Sequence, residues 1–151
     1  MKKRVVSLWL LCLLLVCFTG CTDKRSQRNL SFFGIRYGMT EEETALIEKQ
    51  EFGNEFTEKE QNWIVYGGDP THRWGGEKRH VYYFDENGKL DSVSLWGLSR
   101  KQLTEELGEY DEYKSNVGWY YWYGNLNGVP TTIRFDSKGG ETLVWDAIGE
   151  H

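Results

Sequence analysis

The chain has 151 residues, 39% of them hydrophobic and 27% charged, with a formal net charge of −5; this is room for one domain or two small units sharing a core. The acidic balance argues against a nucleic-acid partner, because a phosphate backbone calls for a basic face. The 7 Trp, 9 Tyr and 7 Phe fall mostly in strand-like runs, which points to a sheet-rich fold.

Lys2, Lys3 and Arg4 precede a run from Val5 to Phe18 that is apolar except for Ser7, and Thr19, Gly20 and Cys21 follow. A basic head, an apolar segment of this length and small residues at the cut describe a secretory signal over 1–20, too short for a transmembrane span. Its removal leaves 15 basic against 23 acidic residues, a net of −8, and leaves Cys21 without another cysteine to pair with. Phe18, Thr19, Gly20 and Cys21 resemble the lipobox of bacterial lipoproteins, with Phe18 where leucine is usual. The resemblance implies that Cys21 is lipidated on its sulfur and attaches the protein to a membrane. The alternative is an ordinary signal peptide with an incidental cysteine.

Thr22 to Ser31 is polar and charged without apolar periodicity, which suits a tether. At no more than ~3.5 Å per residue it reaches on the order of 30 Å. Residues 21–34 are thus assigned to the lipidated cysteine and tether. Thr40 with Glu43 forms a capping box and starts a helix expected to run to about Gln50, ended by Gly53 and Asn54. Trp63 to Tyr66 reads as a short strand and Gly67 to Glu77 as a loop. His80 to Phe84 and Leu90 to Trp96 read as a hairpin across Asn87 and Gly88.

Ser99 and Gln102 repeat the capping device, and Leu103 and Leu107 share one face of a helix from Arg100 to Leu107, with Gly108 beyond it. Trp119 to Tyr123 is a strand of five aromatics, with a turn expected over Gly124 to Gly128. Pro130 to Phe135 and Thr142 to Ala147 form the last hairpin. The Gly38 and Gly97 helix starts lie 59 residues apart, and the Phe84-Asp85 and Phe135-Asp136 turns lie 51 apart. The expectation is therefore an α+β fold: two tandem helix-plus-three-strand repeats, 35–95 and 96–151, forming one curved antiparallel sheet with helices on one face.

Gly38, Met39, Thr40 and the acids that follow, an aromatic strand and a Phe-Asp-x-x-Gly hairpin together resemble the SmpA/OmlA family of small outer-membrane-assembly lipoproteins. Two such units in tandem are similar to the beta-lactamase inhibitor protein fold. The first unit lacks the Leu-Gly-x-Pro usual after the helix, and the second has Leu107 and Gly108 without the proline. The resemblance implies an envelope-assembly or inhibitor-type interaction. No inhibitory residue transfers by motif.

Residues that carry chemistry are few. Asp69, His72 and His80 match no established metal-ligand spacing and read as a solvated loop. Asp85 to Gly88 lacks the further ligands of a calcium loop and reads as a turn. No nucleophile motif, phosphate loop or glycine fingerprint is present, so neither an enzyme nor a bound cofactor or metal is expected. Glu41 to Glu43, Glu105 and Glu106 read as caps and solvated faces.

The aromatic strands remain. Counting by two from Phe84 and Phe135 puts Tyr82 and Ile133 in the core and turns Tyr83 and Arg134 outward. Either Trp119, Tyr121 and Tyr123 or Tyr120 and Trp122 share that outer side. The expected binding residues are Trp74, Tyr83, Trp119, Tyr121, Tyr123 and Arg134, on a sheet face displaying rings to a protein partner in the envelope. The alternative occupant of such a face is a glycan or the cell wall.

Overall fold

The computed structural model describes residues 28–68 and 78–146. The signal segment, Cys21, most of the tether, the loop containing Asp69, His72, Arg73 and Trp74, and residues 147–151 lie outside the described residues.

The described residues form one nine-stranded mixed sheet and two short helices, a mostly-β arrangement. In chain order these are β1 (Asn29–Leu30), α1 (Glu41–Ile47), β2 (Phe56–Lys59), β3 (Trp63–Tyr66), β4 (His80–Phe84), β5 (Leu90–Trp96), α2 (Arg100–Leu107), β6 (Glu112–Lys114), β7 (Trp119–Leu126), β8 (Val129–Asp136) and β9 (Glu141–Asp146). The sheet order is β1-β7-β8-β9-β5-β4-β3-β2, and β6 shares with β1 the edge of β7 away from β8.

The expected pair of helix-plus-three-strand repeats is not what forms. Three strands form that the sequence reading did not assign: β1, within the expected tether, joins β7 in parallel, β2 extends the sheet beyond β3, and β6 pairs with β7. The halves are unequal as well, since β7 and β8 have eight residues each while β3 and β4 have four and five. Turn chemistry explains the longer arms. Asn127 and Gly128 both take positive φ, 53° and 84°, as a two-residue turn requires. The reversal therefore comes three residues later than expected, and Gly124 stays inside β7.

Gly124 is needed there for another reason. A Cβ at this position would stand 2.4 Å from the Arg28 carbonyl oxygen, because β1 crosses close against it. The Asn125 amide donates to that same oxygen at 2.7 Å. The docked segment is held further by Arg28, which donates to the carbonyl oxygens of Leu107 and Glu109 and pairs with Asp111. Glu106 accepts from the Phe33 amide at 2.9 Å and the Ser31 hydroxyl at 3.1 Å, so this acid is a clamp rather than part of a solvated face.

Both capping boxes form. Thr40 and Glu43 exchange backbone and side-chain bonds at the start of α1, and Ser99 and Gln102 do so at α2. The bond from the Thr40 amide also holds the Glu43 carboxyl below its ordinary pKa. The first helix ends earlier than expected, at Ile47, and widens into a π-helical turn over Glu48–Phe52 before Gly53 closes it at φ 67°.

The core is a row of side chains crossing six strands. Trp122, Ile133, Val144, Val93, Tyr82 and Ile64 are successive cross-strand partners, each at most 4% exposed. Leu103 and Leu107 of α2 and Leu30, Phe32, Ile35 and Met39 from the N-terminal segment cover this face. Burial on this scale stabilises each large apolar side chain by roughly 1.5–3 kcal/mol relative to exposure. The Trp122 indole also donates from Nε1 to the Gly108 carbonyl oxygen at 2.8 Å, so its polar handle is satisfied.

Candidate functional site

Alternation along the strands puts Tyr120 and Trp122 against the core and Trp119, Tyr121 and Tyr123 on the opposite side. Register places Tyr121 directly across from Arg134, and Tyr123 in line with Thr132 and Trp145. Four of the expected residues, Trp119, Tyr121, Tyr123 and Arg134, therefore meet on one patch of β7 and β8. Tyr83 faces the same side but sits on β4, four strands from β7, or roughly 19 Å at ~4.8 Å per strand. It is 37% exposed, and burial of part of its ring with the Glu141 charge raises its phenol pKa. Trp74 lies outside the described residues.

The patch is a laminate rather than an open display of rings. The Arg134 guanidinium stands 4.3 Å from the Trp119 ring centre and 6.0 Å from that of Trp145. Lys114 stands 4.8 Å from the centre of Tyr121, which stacks on Tyr123 with an interplanar angle of 8°. Tyr121 is buried as a result, while Trp119, Tyr123, Trp145 and Arg134 are half-buried. Two carboxylates complete the array. Glu141 pairs with Arg134 at 3.8 Å and accepts from the Ser94 hydroxyl at 2.7 Å, and Glu112 accepts from the Tyr123 hydroxyl at 2.8 Å. Val65, Val81 and Ser94 on this same face are buried, so the exposed part of it is narrower than the sequence reading implied.

A second polar cluster lies on the core side. Glu48, fully buried on the π-helical turn, accepts through Oε1 from the Tyr82 hydroxyl at 2.6 Å and from His80 Nδ1 at 2.7 Å. Its Oε2 accepts from the Asn54 amide at 2.9 Å. A carboxylate only accepts, so the hydrogen sits on Nδ1 of His80. His80 is 2% exposed, with its ring packed edge-on against Phe52 at 4.5 Å. It belongs to the interior of β4 and not to a solvated loop. Counting back by two from Tyr82 gives the same placement; the charge pattern around His72 obscured it. Burial and the Glu48 charge hold the Tyr82 phenol well above its ordinary pKa.

Among the described residues, no group of three His, Cys, Asp or Glu is arranged to hold a metal ion, and no helix is long and apolar enough to cross a membrane. No family model, curated protein or solved structure matches the chain.

Proposed function

We propose that this protein is an extracytoplasmic binding module, lipid-anchored through Cys21, that docks a protein of the cell envelope on the Trp119, Tyr121, Tyr123 and Arg134 face. The observation that carries the reading is the bracing of these side chains against one another. Rings already stacked and clamped by Arg134 and Lys114 lose little conformational freedom on binding, which is a main cost of forming an interface. Trp, Tyr and Arg are also the residue types that carry most interface energy. The protein acts by association in this reading, without a catalytic step.

The same geometry weighs against the glycan alternative. Sugar stacking needs an open ring face, whereas Arg134 occupies one face of Trp119 and Lys114 one face of Tyr121. Crosslinking in intact cells tests the choice. A defined protein adduct lost on Trp119→Ala and Arg134→Ala, with both variants folded and anchored, is the expected result. Adduct unchanged by both substitutions, or binding of the purified protein to cell wall that Trp119→Ala abolishes, overturns it.

A further inference from the structure

Arg134 stands on β8 with its side chain only 21% exposed, yet its guanidinium makes no hydrogen bond among the described residues. Nε is shut in without a partner, so the donors left for a ligand are those of the two terminal nitrogens. Arginine keeps its charge in proteins, so these donors are present whatever the pH. The plane is held in place as well: Trp119 lies 4.3 Å and Trp145 6.0 Å from the guanidinium carbon. A fixed fork with no acceptor matches a planar group with two oxygens.

The nearest carboxylate is kept from filling that role. Glu141 Oε2 is 3.8 Å from Nη2, beyond hydrogen-bond reach, while its Oε1 accepts from the buried Ser94 hydroxyl at 2.7 Å. Ser94 and Arg134 flank Leu143 in one cross-strand row, so this bond draws the Glu141 carboxylate toward β5 and away from β8.

Charge alone sets no sign here, since Arg134, Lys114 and Lys138 stand against Glu141, Glu112 and Asp136. Hydrogen bonding does set one. Each acid already accepts a hydrogen bond, from Ser94, from the Tyr123 hydroxyl and from the Lys138 amide respectively. An arriving cation meets carboxylates that are in use, whereas an arriving acceptor meets an Arg134 fork that is not. With three acids close by, one negative charge is tolerated better than the two of a phosphate.

We propose that Arg134 is the carboxylate receptor of this face, and that the docking partner engages it with an aspartate or glutamate side chain, gripped end-on by the two terminal nitrogens. This rests on the docking reading and adds the chemistry that the partner brings to it.

Nitrogen NMR of the full chain in detergent micelles, with labelled arginine and Arg134→Gln identifying the Nε resonance, tests the receptor. The probes are acetyl-Leu-Glu-Leu-amide, its glutamine counterpart, acetate and inorganic phosphate. The expected result is a saturable shift with the acidic peptide in the millimolar range, about tenfold weaker for the glutamine peptide. Glu141→Gln removes the internal rival and tightens binding about twofold to fivefold, whereas Ser94→Ala frees Glu141 to close on Arg134 and weakens it by a similar factor. No saturable shift, an equal response to the glutamine peptide, tighter binding of phosphate, acetate binding as tightly as the peptide, or Glu141→Gln and Ser94→Ala acting in the same direction overturns the proposal. Crosslinking in cells separates it from the docking reading. An adduct lost on Trp119→Ala but retained in Arg134→Gln keeps the docking face and overturns its carboxylate receptor; a saturable shift without any adduct that depends on Trp119 overturns docking, and with it the protein source of the carboxylate.

Discussion

Glu48 and Tyr82 meet at 2.6 Å, carboxylate to phenol, with both side chains fully buried. The contact joins the π-helical turn to the centre of the sheet, and His80 and Asn54 share the same carboxylate. Glu48→Ala leaves all three donors unpaired and is expected to cost about 3 kcal/mol or more, since each buried donor left without a partner costs about 1–3 kcal/mol. Tyr82→Phe removes a single donor and is expected to cost about 1–3 kcal/mol. Urea unfolding measures both; equal losses would show that the carboxylate is not the hub.

Alkaline stability follows from two tyrosines. Burial pushes the Tyr37 phenol from 10.0 up to about 12, with Asp146 and Asp91 adding to the effect, and burial with the Glu48 charge raises Tyr82 as well. A raised pKa means that the folded chain keeps protons that the unfolded chain releases. Their contribution is fully present below pH 10.0 and is lost as pH rises from there through about 12. Tyr37→Phe should make the decline in urea midpoint across that window shallower; an unchanged slope counts against the assignment.

Gly124→Val places branched carbons where the Arg28 carbonyl oxygen and the Leu30 side chain already stand, at 2.4 and 2.9 Å from a Cβ. Overpacking of this kind typically costs about 1–3 kcal/mol. The loss should be local: hydrogen exchange at the Asn125 amide, bonded to Arg28, accelerates while amides in the middle of β8 remain protected.

Ser99→Ala removes the acceptor for the Gln102 amide at the start of α2 and is expected to cost about 1 kcal/mol. Its effect reaches the core because Leu103 and Leu107 are carried by this helix. Thermal unfolding should show a lower midpoint, with Ser99→Asp restoring much of it.

On the aromatic face, Arg134→Ala is expected to cost little stability, about 1 kcal/mol, since a partly exposed ion pair and cation–π contact are each modest. Its larger effect should be on partner crosslinking. A severe loss of folding with Arg134→Ala would assign the laminate to stability instead of docking.

Local rules reached much of this structure. Capping residues set the starts of α1 and α2, and alternation put Tyr82, Phe84, Ile133 and Phe135 on the core side. The same alternation left the side taken by Trp119 open, because both alternatives were aromatic; packing of Trp122 beneath the Gly108 carbonyl decides it. The pairings of β1, β2 and β6 were hidden for a different reason. Their segments are only two to four residues long, and each becomes a strand because an edge strand beside it, β7 for β1 and β6 and β3 for β2, offers unpaired backbone groups. Glu48 was equally unreadable. It looks like one more acid on an acidic helix, and only the widened turn brings it to His80 and Tyr82, 32 and 34 residues away.

The entry clasp has a mechanical consequence. Tension drawn through the residues before Arg28 arrives first at its guanidinium and at the two-residue parallel pairing on β7, outside the central row of packed side chains. Because Leu30 of that pairing also packs in the core, peeling the clasp withdraws a side chain from the interior, so the rim and the packed row resist such a pull together.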